Sequence, residues 1–194
     1  MVILLKNKPK LIIVDGAQGV GKSSVSRALR EKMTSTLLFS LSGVADKTKS
    51  GAWKSYEYHS SILNTIFDIS RCDLNVILER SHLSERVFCK LGFKPYTFEE
   101  QTKALNARIK FLTVNYDVHV VILTCNKSEY AERLKREKGE YFEFNVQSSL
   151  DQQESYLLEL ATIEETYPAV HCHVVDNTTL SAEETANYLI STIF

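Results

Sequence analysis

The 194-residue sequence has little glycine and proline and only four cysteines. With seven glycines and three prolines it has no evident linker, repeat or low-complexity segment, so we expect a single domain over residues 1–194. The cysteines are far apart and form no Cys-x-x-Cys pair, which favours reduced thiols in a cytoplasmic protein. No apolar run approaches the roughly 20 residues of a membrane span, and the N-terminus lacks the pattern of a signal peptide, so we expect no membrane association.

An excess of either charge is also missing, because 23 basic residues face 24 acidic ones. Nucleic-acid-binding domains usually carry a strong basic excess or stripe, so nucleic acid is a disfavoured but open partner. The run His171-Cys172-His173 could indicate a metal site. Alternation along a strand directs the two histidines to one face and the cysteine to the other, so we expect a plain strand without a metal.

Five short apolar runs, rich in β-branched residues, predict β-strands at 10–15, 36–41, 75–79, 118–125 and 170–176. Helical patterns occupy 22–33, 52–70, 81–91, 97–114, 127–138, 149–166 and 181–193. The last of these begins with Ser181, an N-cap residue, followed by Glu184 at the third helical position. Strands that alternate with helices predict a three-layer α/β domain, in which helices flank a five-stranded parallel sheet.

Residues 16–23, Gly-Ala-Gln-Gly-Val-Gly-Lys-Ser, match the pattern G-x-x-x-x-G-K-[ST] in full. Glycines in this pattern let successive N–H groups point at phosphate oxygens, the lysine reaches the β- and γ-phosphates, and the Ser23 hydroxyl ligates Mg²⁺. The motif follows a predicted strand and opens an amphipathic helix, whose positive end faces the same anion. It predicts a nucleoside triphosphate site formed by Gly16, Ala17, Gln18, Gly19, Val20, Gly21, Lys22, Ser23 and Ser24.

A second candidate segment, "NVILERSHLSERVF", follows the third predicted strand. Glu79 ends that strand, at the edge where open α/β sheets bind ligands, and Arg80 comes next. The carboxylate can hold a Mg²⁺-bound water or take a proton from an acceptor, and Arg80 can clamp an acceptor phosphate. The alternative is that the pair only opens a solvated helix.

Cations are concentrated after the fourth strand, in "NKSEYAERLKREKGEYFEF". Arg133 and Arg136 can neutralise the negative charge that phosphoryl transfer spreads over the equatorial oxygens. The alternative is a solvent-facing helix with pairs such as Glu132–Lys135.

These motifs resemble a known group of enzymes. "ERSHLSERVF" looks like the E-R-S-x-x-S-x-R motif of deoxynucleoside kinases, and its position matches the D-R-[YFH] motif of thymidylate kinases. The arginine run before "GEYFEF" is similar to the lid of thymidylate kinases, and "VVDNTTLSAEE" resembles their V-I-D-A segment, whose backbone, here residues 176–178, would meet adenine. The resemblance spans nearly the whole chain and implies a P-loop NTPase-type kinase domain with a small helical lid at about 127–145.

The resemblance also implies an acceptor site. Glu79 and Arg80 would lie between acceptor and triphosphate, and Arg86 matches the second arginine of the nucleoside-kinase motif. Phe67 and Arg71 echo the F-x-x-x-R of thymidylate kinases, in which the ring stacks on the base, although a core phenylalanine and a surface arginine fit the same letters. Trp53 and Tyr56 offer further stacking surfaces or simply packing residues.

The sequence departs from the family at the acids. Gln18 stands where thymidylate kinases have an acid inside the loop, and no acid follows the second strand, so Asp46 is the nearest carboxylate. A nucleoside acceptor would need Glu79 or Asp46 as its base, whereas a monophosphate brings an oxygen that is already anionic. The departures therefore favour a monophosphate acceptor.

Together, these observations predict an enzyme that moves the γ-phosphoryl group of ATP, with Mg²⁺, to a deoxynucleoside monophosphate. Lys22, Arg133 and Arg136 would neutralise charge on the transferred group. Ser23, and Glu79 through water, would hold Mg²⁺. The alternatives are a deoxynucleoside kinase, a kinase acting on a 5′-hydroxyl or modified base in DNA, and a non-catalytic nucleotide-binding protein. Relatives of this kind are often dimers, so a homodimer is possible.

Overall fold

The computed structural model describes residues 8–46, 48–136 and 145–194 of the chain. Strands and helices alternate along it as the sequence predicts. The strands are β1 (Lys10–Gly16), β2 (Thr36–Ser40), β3 (Asn75–Glu79), β4 (Asp117–Thr124) and β5 (Val170–Asp176). The helices are α1 (Lys22–Lys32), α2 (Gly51–Ile69), α3 (His82–Lys90), α4 (Glu99–Leu112), α5 (Lys127–Arg136), α6 (Val146–Thr166) and α7 (Ala182–Ile193).

The five strands form one parallel sheet in the order β2-β3-β1-β4-β5. The central strand, β1, lies between β3 and β4, and Val14 is in register with Glu79 on one side and Val121 on the other. The chain leaves β1 for the β2 edge and later crosses to β4 on the opposite side, so the direction of winding changes at β1. Such switch points open a crevice at the carboxyl ends of the strands, where ligands of α/β proteins bind.

Each face of the sheet has its own core. Leu11 and Ile13 of β1 pack on the face covered by α2, α3, α4 and α6. Ile12 and Val14 pack on the opposite face, against α1 and α7. Alternate residues of β1 therefore serve different cores, which explains why the strand reads as a continuous apolar run. The predicted fold class, a three-layer α/β domain with a five-stranded parallel sheet, is confirmed.

Helix boundaries follow local capping. The Ser181 side chain accepts from the backbone N–H of Glu184, and the Glu184 side chain accepts from the backbone N–H of Ser181, as predicted. Helix α6 starts three residues before the predicted position, because Asn145 and Ser148 form a second reciprocal capping box. This box lacks the Glu or Gln that usually marks the motif in a sequence.

The His171-Cys172-His173 run lies within β5, as predicted. No group of histidine, cysteine and acidic side chains in the described parts of the chain has an arrangement that could hold a metal ion. Likewise, none of the helices in the described segments is long and apolar enough to cross a bilayer.

Candidate phosphate-transfer site

The loop between β1 and α1 has a backbone that needs its glycines. Gly16, Gly19 and Gly21 have φ angles of 143°, 81° and 94°, which L side chains rarely adopt. At Gly16 a Cβ atom would lie only 2.6 Å from the carbonyl oxygen of Leu123, at the carboxyl end of β4. The loop can therefore curl tightly at the centre of the sheet, which is the shape that a phosphate cradle requires.

Lys22 opens α1 and is buried under the loop. Its Nζ donates to the carbonyl oxygens of Gly16 and Ala17, at 2.8 Å each. The ammonium group is thereby held over the loop at the positive end of the helix, and Gly21 has no side chain to cover the first-turn N–H groups. These are the features of an anion-binding helix terminus.

Ser23 and Glu79 meet beside the loop. The Ser23 hydroxyl donates to Oε1 of Glu79, and the Ser40 hydroxyl, at the end of β2, donates to Oε2 at 2.6 Å. Hydroxyl and carboxylate oxygens are the ligands that Mg²⁺ prefers, so Ser23 and Glu79 together fit a magnesium site. No sequence pattern identifies Ser40 as a site residue, because its partner is 39 positions away in the chain.

Arg80 follows Glu79 with a strained backbone. Its φ is 66°, and its N–H donates to the carbonyl oxygen of Val14 at 2.9 Å. A positive φ in a residue other than glycine costs free energy and persists where the surroundings impose it, often at functional sites. The turn directs the chain from β3 into α3 at the edge of the sheet where the phosphate loop also lies.

A buried polar network links the loop to α3 and α6. Ser81 and Ser84 donate to the two carboxyl oxygens of Asp15, at 2.6 and 2.7 Å, and the Tyr156 hydroxyl donates to Ser84 at 2.8 Å. Burial raises the pKa of Asp15 above its ordinary value, while the two serine hydrogen bonds act in the opposite direction. The two serines of "ERSHLS" thus hold the residue that precedes the phosphate loop. This link was not anticipated from the sequence.

Arg133 of α5 contacts the loop from the side of β5. Its guanidinium donates to the carbonyl oxygen of Val20 and to both the side chain and the carbonyl of Asn177, at 2.8 to 2.9 Å. Glu129, one turn earlier, accepts from its Nε at 2.7 Å. Arg133 is therefore fixed on the backbone of the loop rather than extended over it. The side chain of Arg136, and residues 137–144 of the expected lid, lie outside the described residues.

The start of α2 lies at the carboxyl ends of the strands, as the phosphate loop does. Gly51 lies against the ring of Tyr96, whose hydroxyl donates to the buried Glu85 of α3. Trp53 and Tyr56 are in the following turn, with ring centroids 5.6 Å apart, and Trp53 is largely exposed. Tyr56 packs against the core on this face of the sheet, so its ring is at least partly a packing residue, as the alternative interpretation of the sequence allowed.

The structure does not bring Phe67 and Arg71 to this site. Helix α2 runs back across the sheet, so its last turn lies near the start of β4, where the Tyr116 hydroxyl donates to the carbonyl of Ile66. There Phe67 packs on Phe111 of α4, and Arg71 is exposed in a short 3-10 helix. Phe67 and Arg71, whose spacing suggested a base-stacking pair, therefore lie at the amino-terminal ends of the strands, opposite the phosphate loop.

Arg86 and Asp46 have other partners. Arg86 is paired with Glu159 of α6 at 3.3 Å and faces Glu99 of α4 at 3.9 Å, because its position on α3 directs it between those helices. Hydrogen bonds from Lys54 and Thr48 lower the pKa of Asp46 well below its ordinary value. Asp46 is thus a stable carboxylate with partners of its own, not a free base.

Comparisons with solved structures identify the fold. Thymidylate kinase from Candida albicans is 18% identical, with 96% of this chain and 91% of that chain covered and a TM-score of 0.61. Deoxyadenosine kinase from M. mycoides is 17% identical, with 94% and 97% covered and a TM-score of 0.59. Shikimate kinase from Acinetobacter baumannii is 16% identical, with 96% and 93% covered and a TM-score of 0.57. The chain has the P-loop kinase fold.

The fold is shared by enzymes with chemically different acceptors, a sugar-linked phosphate, a nucleoside and a small carboxylic acid, as the names of these neighbours indicate. No protein-family model matches the chain, and no curated protein sequence matches it significantly. The fold by itself therefore does not identify a substrate for this chain.

Proposed function

We propose that this protein transfers the γ-phosphoryl group of ATP to the phosphate of a deoxynucleoside monophosphate. An oxygen of the acceptor phosphate would bond to the γ-phosphorus while the bond from that phosphorus to the bridging oxygen of ADP breaks. The observation that supports the proposal is that the carboxylate of Glu79 already has hydrogen-bond partners. Both of its carboxylate oxygens accept hydrogen bonds, from Ser23 and Ser40, and the strand that supplies Ser40 ends without an acid.

A hydroxyl acceptor needs a base, and the nearby carboxylates have other roles. Asp15 accepts from two serines, Asp46 from Lys54 and Thr48, and Glu85 from Tyr96. A phosphate monoester needs no base, because it carries about −1.5 to −2 charges near neutral pH. It needs a cation instead, and Arg80, the residue after Glu79, would supply it.

The donor would be held by the phosphate loop. The N–H groups of residues 19–24 and the ammonium of Lys22 suit the β- and γ-phosphates, and Lys22 would exchange its two carbonyl partners for phosphate oxygens. Ser23 and Glu79 would hold Mg²⁺, which supplies charge neutralisation between the phosphates when bound. Asn177, Thr178 and Arg133 would border the adenine, in agreement with the position of Asn177 beside Val20.

The test is an assay of ADP formation with ATP, Mg²⁺ and each of the four deoxynucleoside 5′-monophosphates and four deoxynucleosides. We expect turnover with at least one monophosphate. The rate should rise as pH increases through about 6, where the acceptor phosphate loses its second proton. We expect Glu79→Gln to lower kcat by about 100-fold or more, because the carboxylate is the only charged group of the proposed magnesium site.

Other outcomes would redirect the assignment. Turnover of deoxynucleosides alone would indicate a deoxynucleoside kinase, in keeping with the E-R-S-x-x-S-x-R spacing. Turnover of a 5′-hydroxyl or modified base in DNA alone would indicate a nucleic-acid kinase. ATP binding without any turnover would indicate a binding protein and contradict the proposal.

A further inference from the structure

Helix α6 carries buried polar side chains at every third position: Ser149, Gln152 and Ser155. The three residues are 0%, 1% and 4% exposed. Ser149 Oγ, Gln152 Nε2 and Ser155 Oγ have no hydrogen-bond partner among the residues that the structure describes. Buried donors without partners are rare in folded proteins, because each unpaired donor costs free energy. Three of them along one helix therefore indicate a surface that could bind a ligand.

The side chain of Gln152 is oriented by a hydrogen bond to the phosphate loop. Its Oε1 accepts from the backbone N–H of Gln18 at 3.1 Å. Gln18 is the third residue of the phosphate loop, so the carboxamide of Gln152 is held against that loop. Because the oxygen faces Gln18, the Nε2 group points away from this contact, and both of its hydrogens are available for donation.

The same helix continues towards the acceptor side. Tyr156, one turn after Gln152, donates to Ser84, which in turn donates to Asp15. Ser81, the residue after Arg80, donates to the other oxygen of Asp15. The helix therefore runs from the phosphate loop to the turn that carries Arg80, along the side on which an acceptor would face the transferred group.

We propose that Gln152 binds the phosphate of the acceptor by donating a hydrogen bond from Nε2, with the Ser155 hydroxyl as a second neutral donor. This inference rests on the proposed function and names the residues that would select a monophosphate. Arg80 supplies the charge, and Gln152 supplies direction, since its carboxamide is already fixed by the loop. A nucleoside acceptor has no phosphate to engage this donor.

The experiment compares Gln152→Glu with Gln153→Glu. In Gln152→Glu a carboxylate oxygen still accepts from Gln18, but the donor becomes an anionic oxygen that repels phosphate. Gln153 is the matched control, because its Oε1 accepts from Cys125 N and the Tyr130 hydroxyl, and a carboxylate can accept both bonds. We expect KM for the monophosphate to rise about 10- to 100-fold in Gln152→Glu, with KM for ATP changed by less than about twofold. Gln153→Glu should resemble the wild type.

The possible outcomes distinguish failure of this inference from failure of the proposed function. If the wild type turns over a monophosphate and both variants keep its KM, the inference is overturned and the proposed function stands. A parallel rise of KM for ATP and for the monophosphate would assign Gln152 to support of the loop and also overturn the inference. If Gln152→Glu does not fold, as judged by its melting temperature, Ser155→Ala is the second variant, because it removes the other proposed donor and leaves the bond between Gln18 and Gln152 in place. Ser155→Ala should raise the acceptor KM alone, by about 5- to 10-fold, and an unchanged acceptor KM would overturn the inference. A wild type without monophosphate turnover would overturn both proposals.

Discussion

The donor and acceptor sides of the candidate site are built differently. The donor side is one contiguous loop, residues 16–24, in which glycines set the backbone and Lys22 and Ser23 already have partners. In the proposed function, the acceptor side would be assembled from the turn after β3, the start of α2 and the face of α6. It contains a strained arginine at position 80 and donors on α6 that have no partner in the described parts of the chain.

The two sides therefore differ in the specificity expected of them. A loop that binds through backbone N–H groups recognises any phosphate chain of the right shape, so its sequence pattern recurs whatever the acceptor is. In the proposed function, side chains from separate elements would recognise a particular acceptor. Their polar atoms would then have no partner until that acceptor binds. Changes on the donor side should abolish turnover with every acceptor, whereas changes on the acceptor side should alter the choice of acceptor.

The largest effect is expected for Lys22→Ala. Loss of the ammonium removes a charge that stabilises the transferred phosphoryl group, so kcat should fall by about 100- to 1000-fold with every acceptor. Turnover with ATP is the measurement, and Lys32→Ala is the control, because Lys32 is exposed in the last turn of the same helix. A Lys22→Ala protein that kept most of its activity would remove the phosphate loop from the chemistry.

Arg80 is expected to show an intermediate effect and allows a paired test. Arg80→Ala and Arg80→Gly both remove the charge, so each should raise the acceptor KM by about 10- to 100-fold. Glycine adopts the φ of 66° without strain, whereas alanine, like arginine, adopts it at a cost, so the glycine variant should be more stable by about 1 kcal/mol. Kinetics and urea denaturation measure the two effects separately. Equal stability of the two variants would mean that the turn relaxes when the side chain is removed.

Much of the fold was predictable because its signals are local. The apolar runs located all five strands of the described segments, and the phosphate loop could be recognised from eight consecutive residues. The early start of α6 was missed, since Asn145 and Ser148 form a capping box without the usual acidic residue.

The candidate site was less predictable, because its contacts join residues far apart in the chain. Gln152 meets Gln18 across 134 positions, and neither glutamine has a motif that identifies the other. Arg133 was expected near the transferred phosphate, but its partners, Val20 and Asn177, depend on how α5 packs beside β5. The spacing of Phe67 and Arg71 suggested a base-stacking pair. Only the direction of α2 shows that they lie at the end of the sheet opposite the phosphate loop.

Acid should weaken the acceptor side of the fold through two buried histidines. His59 of α2 and His82 of α3 have ring centroids 6.3 Å apart, and His82 contacts Asn106 at 2.7 Å. Burial lowers the pKa of His82 from 6.5 to about 4 and that of His59 to about 3, despite the bond to Asn106, which raises the pKa of His82. The folded state thus favours the neutral rings. Their contribution to stability is complete above pH 6.5 and is lost as pH falls towards these values.

The measurement is urea denaturation at pH 7, 6 and 5. Each neutral buried histidine should reduce the free energy of unfolding by up to about 1.4 kcal/mol per pH unit below 6.5, so His82→Gln should flatten the pH dependence by about that slope. His171→Gln, at an exposed position of β5, should keep the wild-type slope. If His82→Gln kept it too, His82 would be charged in the folded protein.

The smallest effect is expected from the two helix caps, which separate stability from acceptor binding. Asn145→Ala and Ser181→Ala each remove a capping box and should lower the free energy of unfolding by about 1 kcal/mol, measured by urea denaturation. Only α6 carries Gln152, two turns beyond its cap, so fraying of its first turn should disturb the acceptor side alone. Asn145→Ala should therefore raise the KM for a monophosphate, and Ser181→Ala should leave it unchanged. If both caps cost the same stability and neither changed this KM, the contact with Gln18 would be sufficient to position Gln152 without the end of its helix.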